Sequence, residues 1–404
     1  MELASLLSYY YVQKASESSK SRASDAHWNQ VRCAFKYRLY PTKAQTQFLE
    51  GQLREACDLY NAAKQERDDA WKTCRKSINY YDQANQLKAM RAEGVIGLAN
   101  YDVSQDVLRR VDKTYKAFFD RVMRGEKPGF PRYRSVRRYD SISFPNPGHG
   151  YKLLPSGKLR VQGAGHIKVK LHRPIEGQIK TLTIKREAGR WFAIFSVEGS
   201  AAPLPASSAE IGIDVGLNSF AALSDGTEIP NPRHYRNAEA RLRRCQRKLA
   251  RRKKGSNRRR KAVRELQRVH VHVRNQRADF QHKLSRQLVN QYGLIAVEDL
   301  NMKGLAGGML AKSVHDAGWN AFIQMLSYKA ASAGRVLVKV DPRGTSQTCV
   351  CGARAPKTLA DRRHDCPACG LSANRDHVSA RVILSRAGNR PSGANVGDVV
   401  SCVS

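Results

Sequence analysis

The sequence predicts an α/β layer domain in its second half, preceded by a β-barrel that a helical lobe interrupts. Three observations carry that expectation. One strand-like stretch near the start is separated from a later set of strand-like stretches by the helical periodicity of residues 43–124. Beyond a linker, strand and helix patterns alternate, the order that favours an α/β layer fold. Two of the later apolar strands each end on an acid.

Arg32 to Tyr40 (RCAFKYRLY) alternates apolar and polar residues and reads as a strand closed by Pro41. From Lys43 to about Arg124 the period becomes helical. Phe48, Leu49, Leu53, Ala56 and Tyr60 form one stripe, and Val107, Leu108, Val111, Tyr115 and Phe118 form another. Gly125 to Pro131 breaks that pattern. Strands are expected at Ile142–Phe144, Leu159–Val161, Ile167–Leu171, Leu182–Lys185 and Trp191–Val197, with a hairpin turn at Ala188-Gly189. Ala201 to Ser208 (AAPLPASS) is a linker by composition. After it come a strand at Ile211–Asp214, a long helical stretch at Arg236–Gln291 broken at Gly255-Ser256, and a strand at Leu294–Glu298. A helix at Trp319–Ala333 and a strand at Gly334–Val340 follow. Residues 1–30 and 387–404 read as disordered ends.

Charge narrows the partners. The 404 residues carry 71 Lys plus Arg against 35 Asp plus Glu, a net +36, which a compact fold tolerates best beside a polyanion. A membrane is excluded, since no run approaches the roughly 18 apolar residues that a span needs. The first 29 residues lack the basic start and apolar block of a secretory signal. Nine cysteines, four of them clustered, fit a reduced cytoplasm with one metal site better than a disulfide framework.

Three features carry chemistry. Asp214 in IGIDVG and Glu298 in LIAVE end apolar strands, and Asp376 precedes an apolar helical start at Val378, Val382 and Ile383. Carboxylates held rigidly at strand ends suit a pair of magnesium (or manganese) ions for phosphodiester hydrolysis. Each acid taken singly is as readily a strand or helix cap, and periodicity does not choose between Glu298 and Asp299. Second, Cys349-Val350-Cys351-Gly352 and Cys366-Pro367-Ala368-Cys369-Gly370 have the make-up of a closed, structural four-thiolate zinc ribbon. The first pair is one residue short, so His364 or Asp365 is the alternative to Cys351. Third, residues 241–286 hold 19 Lys or Arg against two acids. A run so long and one-signed points to the phosphate backbone of nucleic acid, with Arg251, Arg252, Lys253, Lys254, Arg258, Arg259, Arg260 and Lys261 as its densest part. His270 and His272 sit there too, but on a helix they diverge by about 200°, which disfavours a shared metal.

As an ordered set the motifs resemble one family. IGIDVGLNSFAALSDG, IAVEDLNMKGL, DAGWNAFIQMLSYKA, TSQTCVCG, DCPACG and NRDHVSARVIL, with YRLYPTKAQ, QDVLRRVDKTYKAFF and GFPRYR upstream, look like the TnpB (OrfB) proteins of insertion sequences, relatives of type V CRISPR effectors. The resemblance runs from Arg32 to Leu384. It implies a wedge β-barrel (31–43 and 134–200) split by a helical recognition lobe (44–133). An RNase H-like RuvC nuclease domain (208–347 and 376–386) with an inserted zinc ribbon (348–375) would follow. It assigns the three RuvC positions to Asp214, Glu298 and Asp376, thereby preferring Glu298 to Asp299, and zinc to Cys349, Cys351, Cys366 and Cys369. It further implies a guide RNA from the transposon end, a double-stranded DNA target, one protein per RNA, and a short target-adjacent motif, for which Tyr101 and Gln105 are candidate readers. A single RuvC site cutting two strands leads us to expect a mobile element over it, around Met302–Lys312. Ser379 departs from the Asn that relatives often carry. The intact acids argue against a nuclease-silent, DNA-binding regulator. A transposase or recombination accessory protein is the remaining alternative.

Overall fold

The computed structural model describes residues 30–200, 203–358 and 361–388, which divide into two compact units at the 200/201 boundary. The expected disordered ends lie outside the described residues, except that Gln30 opens the first strand and residues 387 and 388 close the last helix.

The first unit is built on a seven-stranded antiparallel sheet. Its strands are β1 (Gln30–Tyr40), β2 (Ser141–Phe144), β3 (Tyr151–Leu153), β4 (Lys158–Val161), β5 (Gly165–Lys170), β6 (Gln178–Glu187) and β7 (Arg190–Ser200), in the order β2-β6-β7-β1-β5-β4-β3. The two edge strands come together through the Phe144 and Tyr151 rings, 5.8 Å apart at a steep angle, so the sheet curls into a nearly closed barrel. Alternation along β1 turns Tyr37 and Leu39 into the core. β6 and β7 meet at the Ala188-Gly189 turn, with Glu187 opposite Arg190.

Pro41 ends β1, and Thr42 caps the helix that follows: its hydroxyl accepts from the Gln45 amide at 3.3 Å while its own amide donates back to Gln45 Oε1 at 3.0 Å. The helical stretch is three helices rather than one, α1 (Lys43–Cys74), α2 (Tyr80–Ala92) and α3 (Tyr101–Met123). Arg75 in a left-handed conformation ends α1, and Asn79 and Asn100 cap the next two. Both expected apolar stripes enter the core of this unit, with Phe48 and Tyr115 at its margin, whereas Phe118 is half-buried outside that core, against Phe119 and Phe130.

The second unit carries a five-stranded sheet ordered β10-β9-β8-β11-β12. β8 (Glu210–Val215), β11 (Leu294–Glu298) and β12 (Val336–Val340) are parallel, whereas β9 (Ser219–Leu223) and β10 (Glu228–Pro230) continue as an antiparallel meander. The connections are helical: α4 (His234–Ala250), α5 (Asn257–Gln291), α6 (Met302–Leu305), α7 (Ala311–Ala317) and α8 (Trp319–Ser332). On one face Ile211, Ile213, Ile295 and Val297 pack with Leu288, Phe322 and Leu326 of the crossover helices. The other face receives the C-terminal helix α9 (Arg375–Gly388) through Ala296, Val340, Ile383 and Leu384. Gly212 permits that seat: a Cβ there would stand 2.0 Å from the Ala380 carbonyl oxygen. Ahead of α9, a two-stranded ribbon of β13 (Arg363–Asp365) and β14 (Ser372–Asn374) lies in the cysteine-bearing loop. Among the described residues no helix is long and apolar enough to cross a membrane.

Candidate active site and metal centre

Val297 of β11 lies opposite Ile213 of β8, so Glu298 and Asp214 follow side by side at the carboxyl ends of adjacent parallel strands. Side chains alternate along a strand, which puts Asp214 on the face of Gly212, and Glu298 on that of Ala296. That is the face α9 covers, and α9 brings Asp376 in its first turn. The structure therefore gathers three acids remote in sequence on one face of one sheet. Asp299, the alternative left open by periodicity, is 67% exposed in its side chain and faces Lys339 at 3.5 Å.

Burial, then the neighbouring carboxylates of Glu298 and Asp376, push Asp214 well above the usual carboxylate range, with Arg375 opposing. Burial also raises Glu298, against a hydrogen bond from Thr345 and the charge of Arg386. The buried Thr345 hydroxyl donates to Glu298 Oε1 from a short turn, Thr345–Gln347. Arg386 is fixed by the carbonyls of Asp341 (2.8 Å) and Arg343 (2.9 Å). Asp376 is held by its own amide, which donates to Asn374 Oδ1 at 2.9 Å, and by Arg375 Nε at 3.3 Å from Oδ1. Sequence reasoning did not single out Thr345 or Arg375. Their only signal was adjacency to the cysteine and Asp376 motifs.

The four cysteines converge. Among the described residues, Cys349, Cys351, Cys366 and Cys369 are the one set of three or more metal-ligating side chains whose donor atoms all lie within 4.8 Å of one another. Cys349 Sγ is 3.6 Å from Cys369 Sγ, and Cys351 Sγ is 3.7 Å from Cys366 Sγ. The short first pair reaches its place through a tight turn, with Gly352 N donating to Cys349 O and Gly352 at φ 86°. His364 and Asp365 are engaged elsewhere: His364 Nδ1 meets Lys357, and Asp365 accepts from Arg363 and Ser372. The backbone amides of Cys369 and Ala368 lower the Cys366 thiol to about 6, so a thiolate is ready near neutral pH. Four soft thiolates with no open position fit a structural zinc ion.

The basic stretch is a hairpin of α4 and α5, held by Leu242, Cys245 and Val269. Arg251, Lys253, Lys254, Arg258, Arg260 and Lys261 at its turn are exposed, and Arg252 is half-buried. Arg259 differs from these: its Nη1 donates to the carbonyls of Leu249 (3.0 Å) and Arg252 (3.1 Å), tying the turn. His270 and His272 are exposed on α5 and, among the described residues, join no cluster of ligands. Tyr101 opens α3 and Gln105 lies one turn along it, the first exposed and the second half-buried. Residues 302–312 fold as α6 and the start of α7, with Met309 fully exposed between them.

Comparison with known proteins decides the family. The model described as "Probable transposase" (OrfB of IS605-type elements) matches residues 183–308. A protein of Streptomyces pristinaespiralis named "Putative RNA-guided DNA endonuclease" is 34% identical over 369 residues, covering 88% of this chain and 89% of that one. The chain belongs to the TnpB (OrfB) family. Another member, "Putative RNA-guided DNA endonuclease InsQ" of Escherichia coli, is 29% identical over 301 residues, 70% of this chain and 73% of the relative. The model for a "Cas12f1-like, TNB domain" matches residues 319–383 of this TnpB-family chain, which include the four cysteines and Asp376. The "CRISPR-associated endodeoxyribonuclease Cas12f1" of Sulfoacidibacillus thermotolerans is 30% identical over 140 residues, 32% of each chain. A model described as "Helix-turn-helix domain" matches residues 31–76, which here form β1 and the single helix α1.

Proposed function

We propose that this chain is an RNA-guided DNA endonuclease of transposon origin, hydrolysing phosphodiester bonds in duplex DNA at a RuvC-type, RNase H-like site of Asp214, Glu298 and Asp376. The observation that carries the reading is the gathering of those acids on one face of the second unit's sheet, in a chain of net +36. A chain made to hold phosphate gains nothing from a patch of carboxylates unless cations stand between the two. Raised Asp214 and Glu298 are sites where a bound cation would relieve an unfavourable charge.

Hard carboxylate oxygens favour magnesium or manganese. Bound there, a metal pair supplies Lewis acidity to the phosphate and lowers the pKa of the attacking water. The strand ends fix Asp214 and Glu298, Thr345 orients Glu298, and Asn374 and Arg375 hold Asp376. Zinc on the four thiolates would clamp the loop between Thr345 and Asp376 (residues 348–375, the zinc ribbon).

In this reading residues 31–43 and 134–200 are the wedge barrel, 44–133 the recognition lobe, and 208–347 with 376–386 the nuclease. The relatives' names and the basic α4–α5 hairpin support a guide RNA, derived from the transposon end, as partner. Base pairing then carries sequence, while the protein carries charge, shape and the reading of the short motif, for which Tyr101 and Gln105 are the candidates. One protein per RNA, acting in a reducing cytoplasm, completes the picture. Asp214→Ala should abolish magnesium-dependent cleavage of a matched duplex and leave guided binding within about two-fold of wild type. A variant that still cuts ends the assignment.

A further inference from the structure

Phe130 and Tyr133 are large aromatic residues left 56% and 55% exposed within a segment of the first unit that has no regular secondary structure. The segment is nevertheless fixed. Asn61 of α1 both donates to the Arg134 carbonyl and accepts from the Arg134 amide, each at 2.8 Å. Beneath the aromatic pair lies Lys64, 2% exposed and ion-paired with Asp68. Its ammonium sits 4.0 Å from the Tyr133 ring centre and 5.3 Å from that of Phe130. Phe130 is also gripped edge-on by Tyr115 and Phe118. Each ring is therefore held by neighbours and yet more than half exposed. Around them residues 127–138 carry five cations and no acid, and those cations are exposed.

We infer that Phe130 and Tyr133 form a stacking platform for unpaired bases of the guide RNA. An exposed ring costs solvation unless something flat covers it, and bases carry both a flat face and the phosphate that the cations want. Rings fixed in advance lose little freedom on binding, so stacking is not offset by an ordering cost. The occupant is RNA because a duplex hides its base faces until it is opened, whereas a folded guide presents loops and single-stranded ends beforehand. The inference rests on the proposed RNA partnership, yet it fails separately from it.

The test uses the full chain and three labelled probes: an oligoadenylate RNA, the same sequence as single-stranded DNA, and an RNA duplex. Binding is read by fluorescence anisotropy over a range of potassium chloride concentrations. The double variant Phe130→Leu with Tyr133→Leu keeps apolar bulk over Lys64 but removes the flat faces. It should lose about five-fold or more in affinity for the single-stranded RNA, with the slope of log affinity against log salt unchanged. Duplex binding should hold, and Tyr133→Phe should behave as wild type. Unchanged RNA affinity in the double variant, while wild type binds, overturns the platform and leaves the RNA partnership standing. Loss shared equally with the duplex, accompanied by a lower Tm, makes the rings a mere lid on Lys64 and overturns it too. A larger loss on single-stranded DNA than on RNA overturns the choice of occupant.

Discussion

Thr345 donates its hydroxyl to Glu298 from a turn that ends two residues before Cys349. The acid and the cysteine loop are thereby mechanically linked, with a single side chain as the coupling. Removing the donor leaves Glu298 half-buried with one fewer partner, a loss worth about 1.5–3 kcal/mol for a charged acceptor. Thr345→Ala should raise the magnesium concentration for half-maximal cleavage several-fold, while Thr345→Ser restores it. A titration of rate against magnesium checks this, and identical curves for wild type and Thr345→Ala would remove Thr345 from the site.

Asp214 makes a prediction about stability with a definite sign. Its folded pKa lies above its unfolded one, so the folded state holds the proton more tightly. The stability it contributes is full below the ordinary carboxylate range and is lost as pH rises through the raised value. In metal-free buffer near neutrality Asp214→Asn should therefore melt above wild type, with the gap closing as pH falls towards about 4. Magnesium should raise the Tm of wild type, by the equivalent of about 2.7 kcal/mol at a hundred-fold excess over its Kd, and do little for the variant. Calorimetry at two pH values, with and without magnesium, settles it.

Gly212 admits no side chain. Ala in its place would drive a methyl into the Ala380 carbonyl and displace α9. The cost should reach about 3 kcal/mol or more, and cleavage should fall with it, since Asp376 travels with α9. Denaturant melts and cleavage rates measured together test whether the two losses coincide.

The thiolate cluster predicts one zinc per chain. Cys351→Ser should lower bound zinc as strongly as Cys366→Ser, whereas His364→Ala should retain it; elemental analysis decides. Thiols bind zinc as thiolates, so zinc retention should weaken as pH falls into the acid range and protons compete for the four sulfurs.

Exposed cations on the α4–α5 turn should behave alike and Arg259 should not. Lys253→Ala with Lys254→Ala should flatten the salt dependence of nucleic-acid binding by about two ions. Arg259→Ala should lower thermal stability, since its guanidinium ties the carbonyls of Leu249 and Arg252.

Much of this was legible before any coordinates. Alternation in RCAFKYRLY and the apolar runs before Asp214 and Glu298 mark strands because burial on one or both faces dictates residue type at every position. The break at Gly255-Ser256 was equally plain. The meander of β9 and β10 was missed because Phe220–Leu223 is a short apolar run, all buried, without a two-residue period. The breaks after Cys74 and Ala92 were missed because the named stripes lie at residues 48–60 and 107–118, while the helix between buries only Gln83 and Leu87 and so carries little apolar periodicity. The choice of Glu298 over Asp299 depends on which sheet face α9 covers, and that is a tertiary fact. Arg259 looked like its neighbours because composition does not say which guanidinium turns back on its own backbone.

The third carboxylate rides on the last helix among the described residues, seated against the first strand of its unit. A chain still emerging from the ribosome therefore has Asp214 and Glu298 long before it has Asp376. Until synthesis has passed residue 376 and α9 has docked on Gly212, no complete acidic triad exists. On the proposed assignment, partial products of translation or proteolysis that lack α9 would be disarmed, so DNA cutting would wait for Asp376.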